Sequence, residues 1–413
     1  MPQLQEVFGI GIELPLSYVE RQNADGAFKR AIKAQTHLVI HGGAKQGKTC
    51  LRKRYLPDAH CNTVHCSPSD NINTIYAKII RNAGVAVASR NHPIAYLNVP
   101  SNVKQQTQAN IWRSGRGTVV LQGQTYEFPD AQSLCGLLSL LNERRLIVLE
   151  NFHYLAADVQ KRLAFDLKTF HELGVRFLIL GVWKESNKLQ FYNRDLSGRL
   201  SIIPVEPWHD EEFDSIIDSG AELLNITIRE EVRQRFKNLC FGNVGILHEL
   251  LRVYCQLHGV DERCLQEREL IDAGRVDEAI SENLQATYPE LIQILQALGV
   301  EQHTGNVESS YLNYYIVRAL IDIPASELRT GVTRAQLLAA IRDLHHFSDK
   351  EQVTIRDTTE ALGKLRSRQQ DMSIPFVEYD TSAQKLNIVD HRHLFVLSIC
   401  RKEDILAELP YPL

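Results

Sequence analysis

The chain has 413 residues, long enough for two or three domains, and 44% of them are hydrophobic, enough to build real cores. Charged residues make up 23% and the net charge is -4, which excludes a global basic field for nucleic acid, so any DNA contact must come from a local patch. No apolar run is long enough to span a bilayer, and stretches such as "RFLILGVW" have strand length, so no membrane role is expected.

The opening "MPQLQEVFGIGIELPLSYVERQNADG" lacks a basic start followed by a long apolar core and does not read as a signal peptide. The eight cysteines contain no C-x-x-C pair, so reduced thiols in a cytoplasm are expected. A first helix is predicted at "DGAFKRAIKAQ", then a strand at "HLVI", a glycine turn, and a helix at "KTCLRKRYL" that Pro57 stops. A second strand, "NTVHCS", leads to the helix "NINTIYAKIIRNAG", closed by Gly84. The His60-Cys61 and His65-Cys66 pairs hold metal-ligand types. On a strand, however, alternate side chains diverge, and no second pair completes a zinc-finger spacing.

From about residue 88 to 130 the rhythm breaks into a polar segment with scattered Pro and Gly, an expected insertion with a short hairpin. It resumes with helix "AQSLCGLLSLLNE", strand "RRLIVLEN", helix "AADVQKRLAFDLKTFHELG", and strands "VRFLILGVW" and "RLSIIPVEP". Strands alternating with helices signal a parallel sheet covered on both faces. The expected divisions are an α/β domain over 1–206, a helical segment over 207–265, a helical connector over 266–310 and a final domain over 311–413. In the last, three helices with Thr333 as an N-cap precede two strands around "TSAQ", the order of a winged helix.

Gly42-Gly43-Ala44-Lys45-Gln46-Gly47-Lys48-Thr49 fits G-x-x-x-x-G-K-[ST] completely. Glycines let the backbone curl so that N–H groups point at phosphates, and the following helix presents its positive end. Lys48 would neutralise the β and γ oxygens of a nucleotide, and Thr49 would ligate Mg²⁺. The strand before and the helix after stand where this motif needs them. The metal needs a second, acidic ligand on a neighbouring strand, and "LIVLEN" supplies Glu150 at its end.

The Walker A box, the "LIVLEN" strand, "RFLILGVW" and the helical segment after it resemble AAA+ ATPases and their STAND relatives over residues 15 to 260. The resemblance implies an α/β fold with a five-stranded parallel sheet of order 5-1-4-3-2, a helical lid, ATP or ADP, and Mg²⁺. It implies that Val19 and Arg21, in "YVERQ", lie near adenine, that Gly42 through Cys50 hold the nucleotide, and that Thr49 and Glu150 hold the metal. Lys48, Glu150 and an arginine acting on a neighbouring subunit would carry catalysis. Arg199 is favoured for that arginine over Arg194. Glu185 and Asn187 are candidates for a polar sensor after the fourth strand. Two departures stand out. Asn151 follows Glu150 where the family has an acid, and Asn cannot accept a proton, so either Glu150 does both jobs or hydrolysis is slow. Gly245 stands where many members place a lid arginine.

The C-terminal unit supports two readings. Arg356, Lys364, Arg366 and Arg368 would meet DNA from a recognition helix, diluted by Asp357 and Glu360. Alternatively the winged helix docks on the nucleotide domain, and His391 or His393 senses the nucleotide, as the STAND resemblance implies. No G-x-S-x-G, H-E-x-x-H or acidic cluster points to other chemistry. The expected protein is a cytoplasmic ATP-driven switch or assembly subunit, self-assembling or acting on an effector partner, of bacterial flavour, in a defence or mobile-element system. The alternative is a DNA-binding ATPase regulator of transcription or transposition type.

Overall fold

The computed structural model describes residues 1–11, 13–88, 108–110, 118–121, 124–272, 274–299, 311–346, 353–369, 372, 374–380 and 383–409. Five strands form the central sheet: β1 (His37–Gly42), β2 (Cys61–His65), β3 (Leu146–Glu150), β4 (Phe177–Val182) and β5 (Leu200–Pro204). All neighbours are parallel and the order is β5-β1-β4-β3-β2, as the resemblance implied. β1 and β4 are buried at every position. That is why their sequences read as continuous apolar runs rather than as alternation.

Helices α1 (Leu4–Phe8), α2 (Ala24–Lys33), α3 (Lys48–Tyr55), α4 (Ile72–Asn82), α5 (Ala131–Leu140), α6 (Ala157–Glu172) and α7 (Lys188–Tyr192) accompany the sheet. Starts follow local chemistry: Asn71 accepts from the Asn73 and Thr74 amides, and Asp130 from that of Ser133. One sheet face buries Ile75, Leu134, Leu163 and Phe170, and the other buries Phe28, Leu51 and Ile203. The chain leaves β1 for the far edge of the sheet and returns to place β4 beside it. This reversal opens a crevice at the carboxyl ends of β1 and β4.

Between Ala86 and Glu127 a separate four-stranded sheet forms from 86–88, 108–110, 118–121 and 124–127. Its last two strands are the expected hairpin, pairing Thr118 with Glu127. The rest of the expected insertion (89–107, 111–117 and 122–123) lies outside the described residues, as do 381–382 of the "TSAQ" turn.

The lid holds α8 (Asp210–Leu224), α9 (Glu230–Leu239) and α10 (Val244–Leu257). Next comes an element the periodicity did not announce: Arg268–Leu270 pairs in parallel with Ile226–Ile228, tying the connector back to the lid. The connector then runs as the single helix α11 (Gly274–Gly299). The last unit contains α12 (Leu312–Asp322), α13 (Ala325–Thr330), α14 (Arg334–Leu344) and α15 (Ile355–Arg368). The wing strands β6 (Val377–Asp380) and β7 (Lys385–Ile388) follow, then α16 (His391–Ile399) and α17 (Lys402–Ala407). Thr333 caps α14 as expected and forms a capping box with Gln336. Leu247 of the lid, Leu291 of the connector and Leu320 and Leu394 of the winged helix share one apolar core. The winged helix is therefore packed on the lid, not tethered beside it.

Candidate functional site

The glycine turn joins β1 to α3 at the crevice. Gly47, the residue before α3, has φ of 80°, which glycine adopts without strain. Ala44 through Cys50 line a cleft of about 310 Å³ together with Val19 and Arg21, His153, Val244 and Ile374. Four parts of the chain distant in sequence thus meet over the loop: the N-terminal segment, the end of β3, the lid and the winged helix.

Lys48 turns back under the loop and donates to the carbonyls of Gly42 at 3.1 Å and Gly43 at 2.5 Å. Burial lowers its ammonium to about 8. Thr49 donates to a Glu150 oxygen at 3.3 Å, so the two expected metal ligands stand side by side. Both are hard oxygen donors that suit Mg²⁺, which needs only one or two protein oxygens beside phosphates. Sequence reasoning missed the partner of Glu150. Arg52, one turn along α3 from Lys48, reaches the other carboxylate oxygen at 3.3 and 3.1 Å. Arg52 also donates to the Leu56 carbonyl at 3.2 Å and to Asp58. Arg52 and Glu150 are both buried.

Arg21 is buried and spent within the protein. It donates to the Val205 carbonyl at 2.8 Å and its guanidinium lies 3.8 Å from the Trp208 ring centre. It contributes a wall to the cleft through this stack. Asn151 follows Glu150 with φ of 58° and opens the short 3₁₀ turn Phe152–Tyr154, whose His153 and Tyr154 face the cleft.

The lid start abuts the loop directly. Asn243 accepts from the Gly245 and Ile246 amides and donates to the Ala44 carbonyl at 3.0 Å, while Gln46 donates to the Gly242 carbonyl at 3.2 Å. A Cβ on Gly245 would stand 2.5 Å from that of Lys45. No arginine fits there, which is the physical reason for the departure seen in the sequence.

The residue after β4 that meets the loop is Lys184, which sequence reasoning passed over in favour of Glu185 and Asn187. The Lys184 ammonium pairs with Glu206 and lies 3.1 Å from Nε2 of His391. Glu206 takes the Gly43 amide at 3.1 Å. Burial raises the Glu206 carboxyl, but Lys184, His391 and Lys48 outweigh it, and the net shift is downward. His391 is held on its other side by the Phe241 carbonyl at 3.0 Å. Of the two histidines considered, His391 thus comes to the loop, while His393 packs on Phe376 inside the winged helix. The position of Lys184 just past the strand end was a signal that could have been read.

Arg199 precedes β5, and its carbonyl receives the amide of His37 at the start of β1, so it sits at the end of the sheet away from the loop. It pairs with Glu172 at 3.6 Å. From there it does not reach the phosphate loop of its own chain. Arg194 is exposed. Of the four basic residues on α15, Arg356 pairs with Glu360, and Arg368 donates to the Leu298 carbonyl at 3.1 Å. Arg366 lies close enough to Lys188 and Tyr192 of the nucleotide domain to influence their titration. Glu378 of the wing receives the Lys184 amide at 2.6 Å. Arg356, Lys364 and Arg366 are nonetheless exposed, so most of the basic face of α15 is open to solvent.

Among the described residues, burial holds six histidines below the usual value of 6.5: His37, His248 and His391 at about 4, His153 at about 3, and His41 and His393 also lowered. Their folded values lie under the unfolded one, so the folded chain binds fewer protons. This stabilisation is complete above pH 6.5 and is lost as the pH falls through about 4. Stability should fall by about 1.4 kcal/mol per pH unit for each such histidine in that window. Differential scanning calorimetry from pH 7 to 4 measures this, and a flat Tm would contradict it.

No protein-family model matches the chain, and no curated protein sequence does. Among solved structures, it is similar to the Walker-type ATPase PABY2304 of Pyrococcus abyssi at 14% identity. That match covers 95% of this chain and 99% of the other, with a TM-score of 0.52. It also aligns with the Aeropyrum pernix Orc1 protein in complex with DNA, at 12% identity over 98% and 97%, with a TM-score of 0.43. At such identities the likeness is one of fold. The shared fold is a five-stranded parallel sheet with a phosphate loop after its first strand, here followed by a helical lid and a winged helix. No helix among the described residues is long and apolar enough to cross a membrane.

Proposed function

We propose that this chain is a Mg²⁺-dependent ATPase with slow turnover, used as a nucleotide-driven switch or assembly subunit in the cytoplasm. The observation that carries the reading is the contact between the winged helix and the phosphate loop, running from His391 through Lys184 and Glu206 to the Gly43 amide. A γ-phosphate arriving beside Lys48 offers the Lys184 ammonium a stronger anion than Glu206. Drawing Lys184 away removes the hydrogen-bond partner of His391 and weakens the dock.

Thr49 and Glu150 would hold Mg²⁺, which supplies charge neutralisation for the departing phosphates. Lys48 and the loop amides bind the phosphates, and Val19, Arg21 and the lid wall in the base. Arg199 would serve a neighbouring copy, in keeping with its place at the far end of the sheet. The STAND-like dock fits a self-assembling or effector-binding protein of bacterial defence or mobile-element type. DNA binding through α15 is the second reading. It would use the exposed Arg356, Lys364 and Arg366, while Arg368 is held on the Leu298 carbonyl.

Sizing the purified chain with ADP, ATP and a non-hydrolysable analogue, each with and without duplex DNA, tests the reading. The expected result is a nucleotide-dependent change of size in the wild type that Lys184→Ala shifts. Identical elution under all nucleotides would reject the switch. DNA retention that falls steeply with salt and depends on Arg366 would favour the second reading.

A further inference from the structure

We propose that His153 takes the proton of the attacking water when this site hydrolyses ATP. The inference rests on the ATPase reading above and names the group that the Walker B strand itself does not supply.

At the end of β3, Glu150 is engaged on both oxygens, by Thr49 on one and Arg52 on the other. A carboxylate so held keeps one accepting site, and the Mg²⁺ it would ligate takes that one. Asn151 has no basic atom to offer at neutral pH. The next side chain that faces the cleft is His153. Its turn is anchored by Phe152, which is fully buried against Trp183. The ring of Tyr154 stands 4.3 Å from the imidazole and limits its swing.

The imidazole Nδ1 is enclosed and has no hydrogen-bond partner. That enclosure puts Nδ1 out of reach of a water and leaves Nε2 as the nitrogen that would meet one in the cleft. Burial, then Lys48 and Lys188, depress the ring's proton affinity, so it is neutral at physiological pH and has one nitrogen free to accept. Those two cations are the charged groups that act on it. A bound triphosphate neutralises the Lys48 charge and so raises the basicity of the ring when it is needed.

The step balances as follows. The water oxygen bonds to the γ-phosphorus. The bond from that phosphorus to the bridging oxygen breaks, and its electron pair stays on ADP. The water proton moves to the unprotonated nitrogen of His153 and passes from there to the released phosphate or to solvent. A ring that begins with low proton affinity makes a modest base, in keeping with slow turnover.

The test compares wild type, His153→Ala and His153→Asn by single-turnover hydrolysis, calorimetric affinity for a non-hydrolysable ATP analogue, and thermal melting. The expected result is a loss of about 100-fold in rate, affinity within a few-fold of wild type, and partial recovery of His153→Ala by added imidazole. Rates within a few-fold of wild type in both variants would overturn the assignment and leave the ATPase reading intact. So would a loss of rate that imidazole does not restore, or one that tracks a loss of affinity, since either marks a structural role. A wild-type chain with no nucleotide affinity would sink the ATPase reading and this inference together.

Discussion

Replacing Lys48 with alanine is expected to abolish measurable ATP turnover while leaving the fold intact. The Lys48 ammonium rests on the Gly42 and Gly43 carbonyls in a site where burial has already lowered it to about 8. Removing it deletes a charge that the fold holds at a cost, so the Tm of the nucleotide-free variant should match or exceed that of wild type. What disappears is the charge-assisted contact that Lys48 would make to the β and γ oxygens. Loss of one such group commonly lowers kcat by ~10²–10³, and loss of phosphate affinity adds to it. The lowered pKa has its own consequence. Above about pH 8 the free lysine is increasingly neutral, and the triphosphate binds the charged form. Binding should therefore take up a proton above about pH 8, and affinity should decline over that same range. Calorimetry in two buffers of different ionisation enthalpy reads the proton directly. Unchanged affinity and turnover in Lys48→Ala would refute the phosphate role.

The second large effect is expected from Arg52→Met. Arg52 and Glu150 form an ion pair whose side chains are only 2% and 5% exposed. Deleting one member strands the other charge inside the protein, which typically costs about 3–5 kcal/mol. For a unit of this size the Tm should fall by on the order of 10 °C. The double variant Arg52→Met, Glu150→Gln should recover much of that loss, because no unpaired charge remains. A single variant that melts like wild type would show that the pair contributes nothing in solution. The pair also bears on function. Arg52 is a positioning residue that presents Glu150 to Thr49, so Arg52→Met should weaken Mg²⁺ dependence of nucleotide affinity more than affinity measured without metal.

Much of the fold was legible in the residues. The strands "HLVI", "LIVLE" and "FLILGV" read correctly because central parallel strands are apolar on both faces. Thr333 read correctly as a cap because the capping bond is local, spanning three residues. The order of the sheet was not derivable from periodicity and came from the family resemblance. Short elements were missed. Leu4–Phe8 holds its place by inserting Phe8 against Gly220, and Arg268–Leu270 exists because Ile226–Ile228 lies beside it. Five or three residues carry no period long enough to recognise.

The phosphate loop was set by the sequence alone. A run of eight residues decides a backbone curl between a strand and a helix, and everything it needs is adjacent in the chain. The company that loop keeps was decided by the tertiary structure. Arg52 meets Glu150 across 98 residues, Lys184 meets His391 across 207, and Gly43 meets Glu206 across 163. Such pairs arise where the chain folds back and buries charge. A buried charge is tolerated only beside a partner, and no local pattern announces which partner the fold will bring.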